Sequence, residues 1–363
     1  TLMNTQSHAK PAVANAPWAS VPRPIAGTLR MHRGLIGFCA AYWLICAPVF
    51  AWFWGSPWLG TEPGFWVAII SSGVFSYLIL NVIAWQASWI LPRRHGGPLR
   101  QAIVSQADWG RLGRALPVVL LFGPFATTFG KMKLLIPTIQ PFAHDAWISR
   151  LDVWLHGGTA PWQWLAPWLL GEPVLKVLVG VYEQSWMVLV LCILPCAALD
   201  ANRQRAKQCV YTFYGCWALL GTAMAVGLSS AGPLFYERVV GVAGPYSGLM
   251  GQLTALDAQG WLTPLPVADL LWQAHINPGV ESLALGISAM PSLHVSMACL
   301  IWLHARRFGR VPGVIGAAYF AVIMAGSVAL GWHYALDGYV AIAGTVLIWW
   351  GAGRLVARHA RVD

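Results

Sequence analysis

The sequence predicts an all-α fold: a polytopic membrane helical bundle of about eight spans with one interfacial amphipathic segment. Three observations predict it. Of 363 residues, 57% are hydrophobic and 10% charged, with a mean hydropathy of +0.58, whereas a soluble domain carries roughly 25% charged residues. Apolar runs of about 20 residues, long enough to cross a bilayer as a helix, recur along the chain. Lysines and arginines gather in alternate loops.

The apolar runs lie at 34–54, 64–91, 115–130, 174–199, 209–231, 289–305, 312–332 and 337–353. The third and the last are short. Residues 142–173 are Trp-rich and amphipathic, and Gly157, Gly158 and Pro161 interrupt them. Such a segment belongs at the interface or in a re-entrant turn. The implied organisation is one transmembrane domain over 34–353, with an outer loop at 232–288 as its main elaboration. A flexible tail at 1–33 precedes it and a short tail at 354–363 follows. The polar, Pro/Ala-rich first residues hold no apolar stretch, so no cleavable signal peptide is expected.

Sidedness follows from charge. Of the 23 Lys and Arg, 18 fall in the two tails and in loops 92–114, 200–208 and 306–311. Lys131, Lys133, Arg150, Lys176 and Arg238 make up the other set. Of the acids, Asp108, Asp200 and Asp363 alone lie on the basic side. The positive-inside rule then puts both tails in the cytoplasm. The basic excess is a topology signal, which excludes nucleic acid as a partner and leaves the bilayer. Five lysines against 18 arginines fit a GC-rich bacterial genome and hence a bacterial inner membrane. The seven cysteines all lie in apolar spans, where they predict neither disulfides nor a zinc site. Cys192 and Cys196, one turn apart, read as small core residues.

Three motifs fall on the non-cytoplasmic side. His333 and Asp337 are four apart, hence on one helical face. A carboxylate there fixes the imidazole tautomer and stabilises its positive form. Pro291-Ser292-Leu293-His294 opens a span. A Pro-Ser pair suits a helix N-terminus, whose free N–H groups attract phosphate, and a His one turn in can protonate a leaving oxygen. Lys131 to Pro141 leaves an earlier span and supplies cations. Glu183, inside the fourth span, is either a site carboxylate or an interhelical hydrogen-bonding group. Arg150 reads as a snorkelling interfacial cation. His144, Asp145, Asp152 and His156 are metal-ligand residue types, but their spacing builds no tight constellation. Asp145 and Asp152, at i and i+7, read as an exposed polar stripe on an interfacial helix.

Ala289 to His294 and Gly331 to Asp337 resemble the second and third signatures of the type 2 phosphatidic acid phosphatase superfamily. Those signatures are Pro-Ser-Gly-His, then Ser-Arg followed five residues later by His and, after three more, by Asp. The first signature, Lys, six residues, Arg-Pro, is met by Lys133 and Gln140-Pro141. Leu293 and the run Lys133 to Pro137 more closely resemble the inositol phosphorylceramide synthase branch. The resemblance spans roughly 131–345. Two family arginines that clamp phosphate oxygens are replaced here by Gln140 and Ser327, which weakens the hold on a doubly charged phosphomonoester.

The resemblance implies a lipid phosphotransferase in which His333 attacks phosphorus, Asp337 orients it and His294 protonates the leaving alkoxide. Lys133, Lys131, Gln140, Ser292, Arg238 and Glu183 are the candidate phosphate or substrate residues. A phospholipid donor and a lipid acceptor are the implied partners, the transferred group is inositolphosphoryl-like, and no metal or organic cofactor is required. A lipid phosphate or polyprenyl phosphate phosphatase is the nearest alternative. A proton-coupled lipid transporter, relaying protons through His294, His333 and Asp337, is a more distant one.

Overall fold

The computed structural model of the chain describes residues 23–55, 109–200, 202–277 and 286–359. The expected span 64–91 and nearly all of loop 92–114 lie outside them. Among the described residues there are helices and no strand. In chain order, α1 is Arg23–Trp54, α2 Trp109–Ile139, α3 Asp145–Leu155 and α4 Trp162–Leu169. Next come α5 (Glu172–Ala198), α6 (Arg203–Gly227), α7 (Tyr236–Val240), α8 (Ser247–Ala258) and α9 (Leu265–Ile276). The last three are α10 (Leu293–Ala305), α11 (Arg310–Ala329) and α12 (Ala335–His359). Six of these, α1, α2, α5, α6, α11 and α12, are long and apolar enough to cross a membrane. The chain is a multi-pass membrane protein.

Several boundaries differ from the expected ones. The α1 helix begins at Arg23, inside the stretch expected to be a tail, and α12 runs on to His359. Arg is a good helix former, so charge ends the apolar run without ending the helix. The third span, expected to stop at Gly130, continues through Lys131 and Lys133 to Ile139. Both lysines therefore sit on a helix and not in a loop. Pro117, Pro124 and Pro137 lie inside α2, where partners for freed backbone groups make proline tolerable in a membrane.

The expected span 289–305 is a helix of 13 residues, Leu293–Ala305, about 20 Å long at 1.5 Å per residue. That falls short of the roughly 30 Å hydrocarbon core. Its approach, residues 286–292, is non-helical and mostly buried. Non-helical backbone at membrane depth survives where protein surrounds it. Here Ala289 N–H donates to Ser230 O (2.9 Å) and Ser292 N–H to Asp337 O (3.3 Å). The α10 helix is the central one, and α11 folds back on it after Gly309 (φ +130). A Cβ on Gly316 would stand 3.1 Å from the Trp302 backbone, so a small residue there lets the two helices approach closely.

The bundle has two unlike ends. At the basic end Asp200 pairs with Arg205, whose guanidinium lies over Phe308 (4.2 Å). Arg30, Arg33, Arg203 and Lys207 line a hollow of about 600 Å³ between α1, α6 and α12. The opposite end carries the loops that open α10 and α12, with α3 packed beneath them. Residues 142–173 form α3 and α4, broken at Gly157 (φ +68) and Gly158 (φ +87), and the outer loop holds α7, α8 and α9.

Candidate active site

The site is built where α11 turns into α12. Gly331 takes φ +76 after the end of α11, a conformation glycine adopts without steric cost, and His333 N–H donates back to Ser327 O (3.0 Å). That turn carries His333 inward, 6% exposed, one residue ahead of Tyr334 and the start of α12. Asp337, 0% exposed in the first turn of α12, accepts from His333 Nδ1 at 3.3 Å and from Tyr334 N–H at 3.0 Å. With Nδ1 engaged, Nε2 is the free ring nitrogen of His333. The Asp337 carbonyl also accepts from Ser292 N–H, so one residue joins the two motifs.

His294 sits in the first turn of α10, and Ser292 caps that helix by accepting from Val295 N–H (3.3 Å). The imidazole is clamped between two aromatics of α5. Tyr182 stacks on it at 4.5 Å and 8°, and Trp186 at 3.9 Å and 27°. Trp186 Nε1 also donates to the His294 carbonyl (3.1 Å). These aromatics flank or lie in a π-helical stretch, Gly180–Ser185, in which Trp186 N–H bonds back to Val181 O. Such wide turns are frequent at functional sites. The His294 and His333 rings lie 6.1 Å apart, tilted by 54°. This is a ring-centroid separation, and it places both imidazoles within reach of one bound phosphoryl group.

Two carboxylates hold the frame, and both correct an expectation. Asp145 and Asp152 are not an exposed stripe; each is 1% exposed. Asp152 accepts from Ala335 N–H (3.3 Å) and Leu336 N–H (2.9 Å), capping α12 from another helix. Asp145 accepts from the N–H groups of Ala231 (2.9 Å) and Gly232 (2.8 Å) and from the Tyr334 hydroxyl (2.8 Å). The i, i+7 spacing was the visible signal, but it turns both side chains inward, Asp152 to the orphan N–H groups at the start of α12 and Asp145 to the loop N–H groups of Ala231 and Gly232. Burial pushes both carboxyls up from the ordinary carboxylate range, against backbone donors that favour the charged form. Nearby, His144 Nδ1 meets Ser229 O (3.2 Å), and His156 Nε2 meets the Tyr339 hydroxyl (2.8 Å).

The remaining candidates divide. Lys133 lies close enough to His294 for its charge to be felt there, and Gly286 packs on its backbone. Lys131, two residues away, faces elsewhere, with Nζ over the Trp54 ring (5.4 Å). Arg238 is not brought to the histidines; it pairs with Asp269 (2.6 Å) on the outer loop and lies over Trp272. Gln140 follows the end of α2, its N–H bonded to Ile136 O. Ser327 is buried and donates to Met324 O. Arg150 is exposed. Glu183 projects beside Trp332, the neighbour of His333. Tyr182, Trp186, Trp332, Tyr334, Asp145 and Asp152 complete the surroundings, and of these only the two aspartates drew attention in the sequence.

No curated protein and no solved structure matches the chain. A profile of the PAP2 superfamily matches residues 146–353, a stretch that holds His294, His333 and Asp337 and begins after Lys133. Spanning more than half of the sequence and every histidine of the site, the match shows that this chain belongs to the PAP2 superfamily of phosphatases and phosphotransferases.

Proposed function

We propose that this protein is a lipid phosphotransferase that moves a phospho-head-group, inositolphosphoryl-like, from a phospholipid to a hydroxyl of a lipid or glycan. One observation carries the reading: the Asp337-bound His333 lies beside His294 with ring centroids 6.1 Å apart, close enough for both to act on one phosphoryl group. His333 Nε2 forms the N–P bond as the P–O bond to the leaving alkoxide breaks. Asp337 accepts the Nδ1 hydrogen and offsets the charge that grows on the ring. His294, held in its aromatic clamp, gives its proton to the departing oxygen. In the second half His294 takes the proton of the incoming hydroxyl, which attacks phosphorus and releases His333. Lys133 and the N–H groups at the start of α10 hold the non-bridging oxygens as charge develops on them.

Gln140 and Ser327 stand where the resemblance places arginines. Fewer cations around phosphorus suit a singly charged diester better than a doubly charged monoester, which favours transfer of a head group over monoester hydrolysis. Leu293 and the run from Lys133 to Pro137 favour the inositol phosphorylceramide synthase branch. The charge distribution supports an active site on the periplasmic side of a bacterial inner membrane, within one catalytic domain over 34–353. The test is incubation of the purified protein with phosphodiester and phosphomonoester lipids, with products identified by mass spectrometry. Label moving from a diester head group to a second lipid is the expected result. Release of inorganic phosphate from monoesters alone would replace the transferase with a phosphatase.

A further inference from the structure

At the end of the bundle away from the histidines, the hollow of about 600 Å³ between α1, α6 and α12 has graded walls. On α6 the lining residues form one i, i+4 row, Arg203, Lys207, Tyr211, Gly215 and Leu219. That wall passes from cations through a phenol to hydrocarbon over about 24 Å, at 1.5 Å per residue. The α1 wall repeats the order, with Arg30 and Arg33 followed by Phe38. The α12 wall contributes Ile348, Ala352, Leu355 and Val356, all apolar. Phe38, Leu219 and Leu355 are exposed, so the apolar part opens toward the acyl region of a bilayer. The volume falls within the range of small-molecule sites, roughly 300–1,000 Å³.

The protein itself does not supply the countercharge. Among the described residues, Arg30, Arg33, Arg203 and Lys207 form no ion pair with a carboxylate. Asp200 borders an adjoining hollow of about 50 Å³, but its carboxylate accepts from Arg205 (2.7 Å) and from Asn202 N–H (2.9 Å). The loops and tails of the basic set hold 18 cations against Asp108, Asp200 and Asp363. Arg203 and Lys207 also stand at the positive end of the α6 dipole, where an anion is favoured and a cation is not. A soluble anion would leave the apolar walls bare, and a zwitterionic lipid would bring its own cation. We propose that this hollow binds one anionic phospholipid, its phosphate among the four cations and its acyl chains along Phe38 and Leu219. Basic pockets between membrane helices suit such head groups, and each Lys or Arg near an anionic surface strengthens binding about fivefold.

Native mass spectrometry of the detergent-solubilised full chain tests the site. Phosphatidylglycerol and phosphatidylcholine with the same acyl chains are titrated separately, and glycerol 3-phosphate competes as the head group without chains. Wild type should hold phosphatidylglycerol at least about tenfold more tightly than phosphatidylcholine, because four cations meet its charge. Arg203→Gln combined with Lys207→Gln should weaken that binding about 25-fold. A lipid held at the histidines survives these substitutions, so the loss is read as one bound lipid fewer. Arg306 and Arg307 are exposed cations of the same end that do not line the hollow, and replacing both with glutamine should change binding less than about threefold. Arg30→Gln combined with Arg33→Gln removes the α1 pair and should match the α6 loss; it decides the matter if the α6 variant does not fold. Equal losses from the lining and the outer pairs would mean diffuse attraction to a basic surface and overturn the site. Wild type that holds both lipids equally, or retains no phosphatidylglycerol, overturns it too. Displacement of the lipid by an equal concentration of glycerol 3-phosphate would replace it with a free phosphate ligand. None of these variants touches His294 or His333, so no outcome bears on the proposed transfer reaction.

Discussion

The two ends of this bundle handle charge in opposite ways. At the basic end arginines and lysines stand around an open hollow, and Asp200–Arg205 is the ion pair that ties the α5–α6 connection. At the motif end His333, Asp337, Asp145 and Asp152 are buried, and backbone N–H groups rather than cations meet the three carboxylates. Cations kept in water cost little and set orientation. Carboxylates taken out of water persist only where hydrogen bonds repay their desolvation, so each of them marks a place where the fold is fixed. The basic end therefore records how the chain sits in a membrane, and the motif end records what it is built to do.

The largest effect expected from breaking the motif end is His333→Ala. With the nucleophile gone there is no covalent route, and turnover should fall by about a thousandfold or more while the protein still elutes as a folded species. Activity above about one per cent of wild type, measured on the best lipid donor, would remove His333 from its assigned role. His294→Ala comes next and should depend on the leaving group. A general acid contributes about 10²–10⁴-fold when the departing alkoxide is basic and far less for a nitrophenolate. Equal losses on a natural lipid and on a nitrophenyl ester would recast His294 as a group that binds the phosphate oxygens.

The contrast between the ends also explains what the sequence revealed. Membrane class, most spans and the histidine motifs were legible, because apolar run length and fixed motif spacing are local properties. The positions of Asp145 and Asp152 were not. Their spacing showed one face, but whether that face met water or buried backbone N–H groups depends on partners far along the chain, Ala231 and Gly232 for Asp145 and the start of α12 for Asp152. Arg238 misled for the opposite reason. A cation near the site in sequence terms is bound instead by Asp269 across the outer loop. The aromatic clamp on His294 was hidden because Tyr182 and Trp186 in an apolar span look like any other core residues. The extension of α2 past Lys133 was hidden because charge ended the apolar run two turns before the helix ended.

Asp152→Ala tests the buried frame at a middling scale. It leaves the Ala335 and Leu336 N–H groups without their acceptor, at a cost of about 2–3 kcal/mol, and lets the start of α12 shift beneath His333. A lowered midpoint of thermal unfolding and reduced turnover are expected together, with Asp152→Asn closer to wild type because it keeps an acceptor oxygen. An unchanged midpoint in Asp152→Ala would show that the cap carries no weight.

Sidedness sharpens the comparison without perturbing either end. Gln252 on α8 and Gln204 on α6 are both exposed, at opposite ends of the bundle. In cells, an impermeant maleimide should modify Gln252→Cys and spare Gln204→Cys. The reverse pattern would place the histidines in the cytoplasm and make the cytoplasmic leaflet the source of substrate.

The smallest effect should come from the basic end itself. Arg203 and Lys207 lie in the first turns of α6, where the positive end of the helix dipole gains nothing from a cation, and among the described residues no carboxylate lines the 600 Å³ hollow beside them. Replacing both with glutamine removes two of the 18 cations of the basic set, too few to reverse the charge asymmetry between the two sets of loops. Stability should change by no more than about 0.5 kcal/mol, as surface substitutions away from packed features do, and turnover on the lipid donor should stay within about twofold of wild type. A loss beyond tenfold with unchanged orientation would mean that the hollow at this end is coupled to His294 and His333 through α10. Charge at the basic end would then serve catalysis as well as topology, and the division between the two ends would fail.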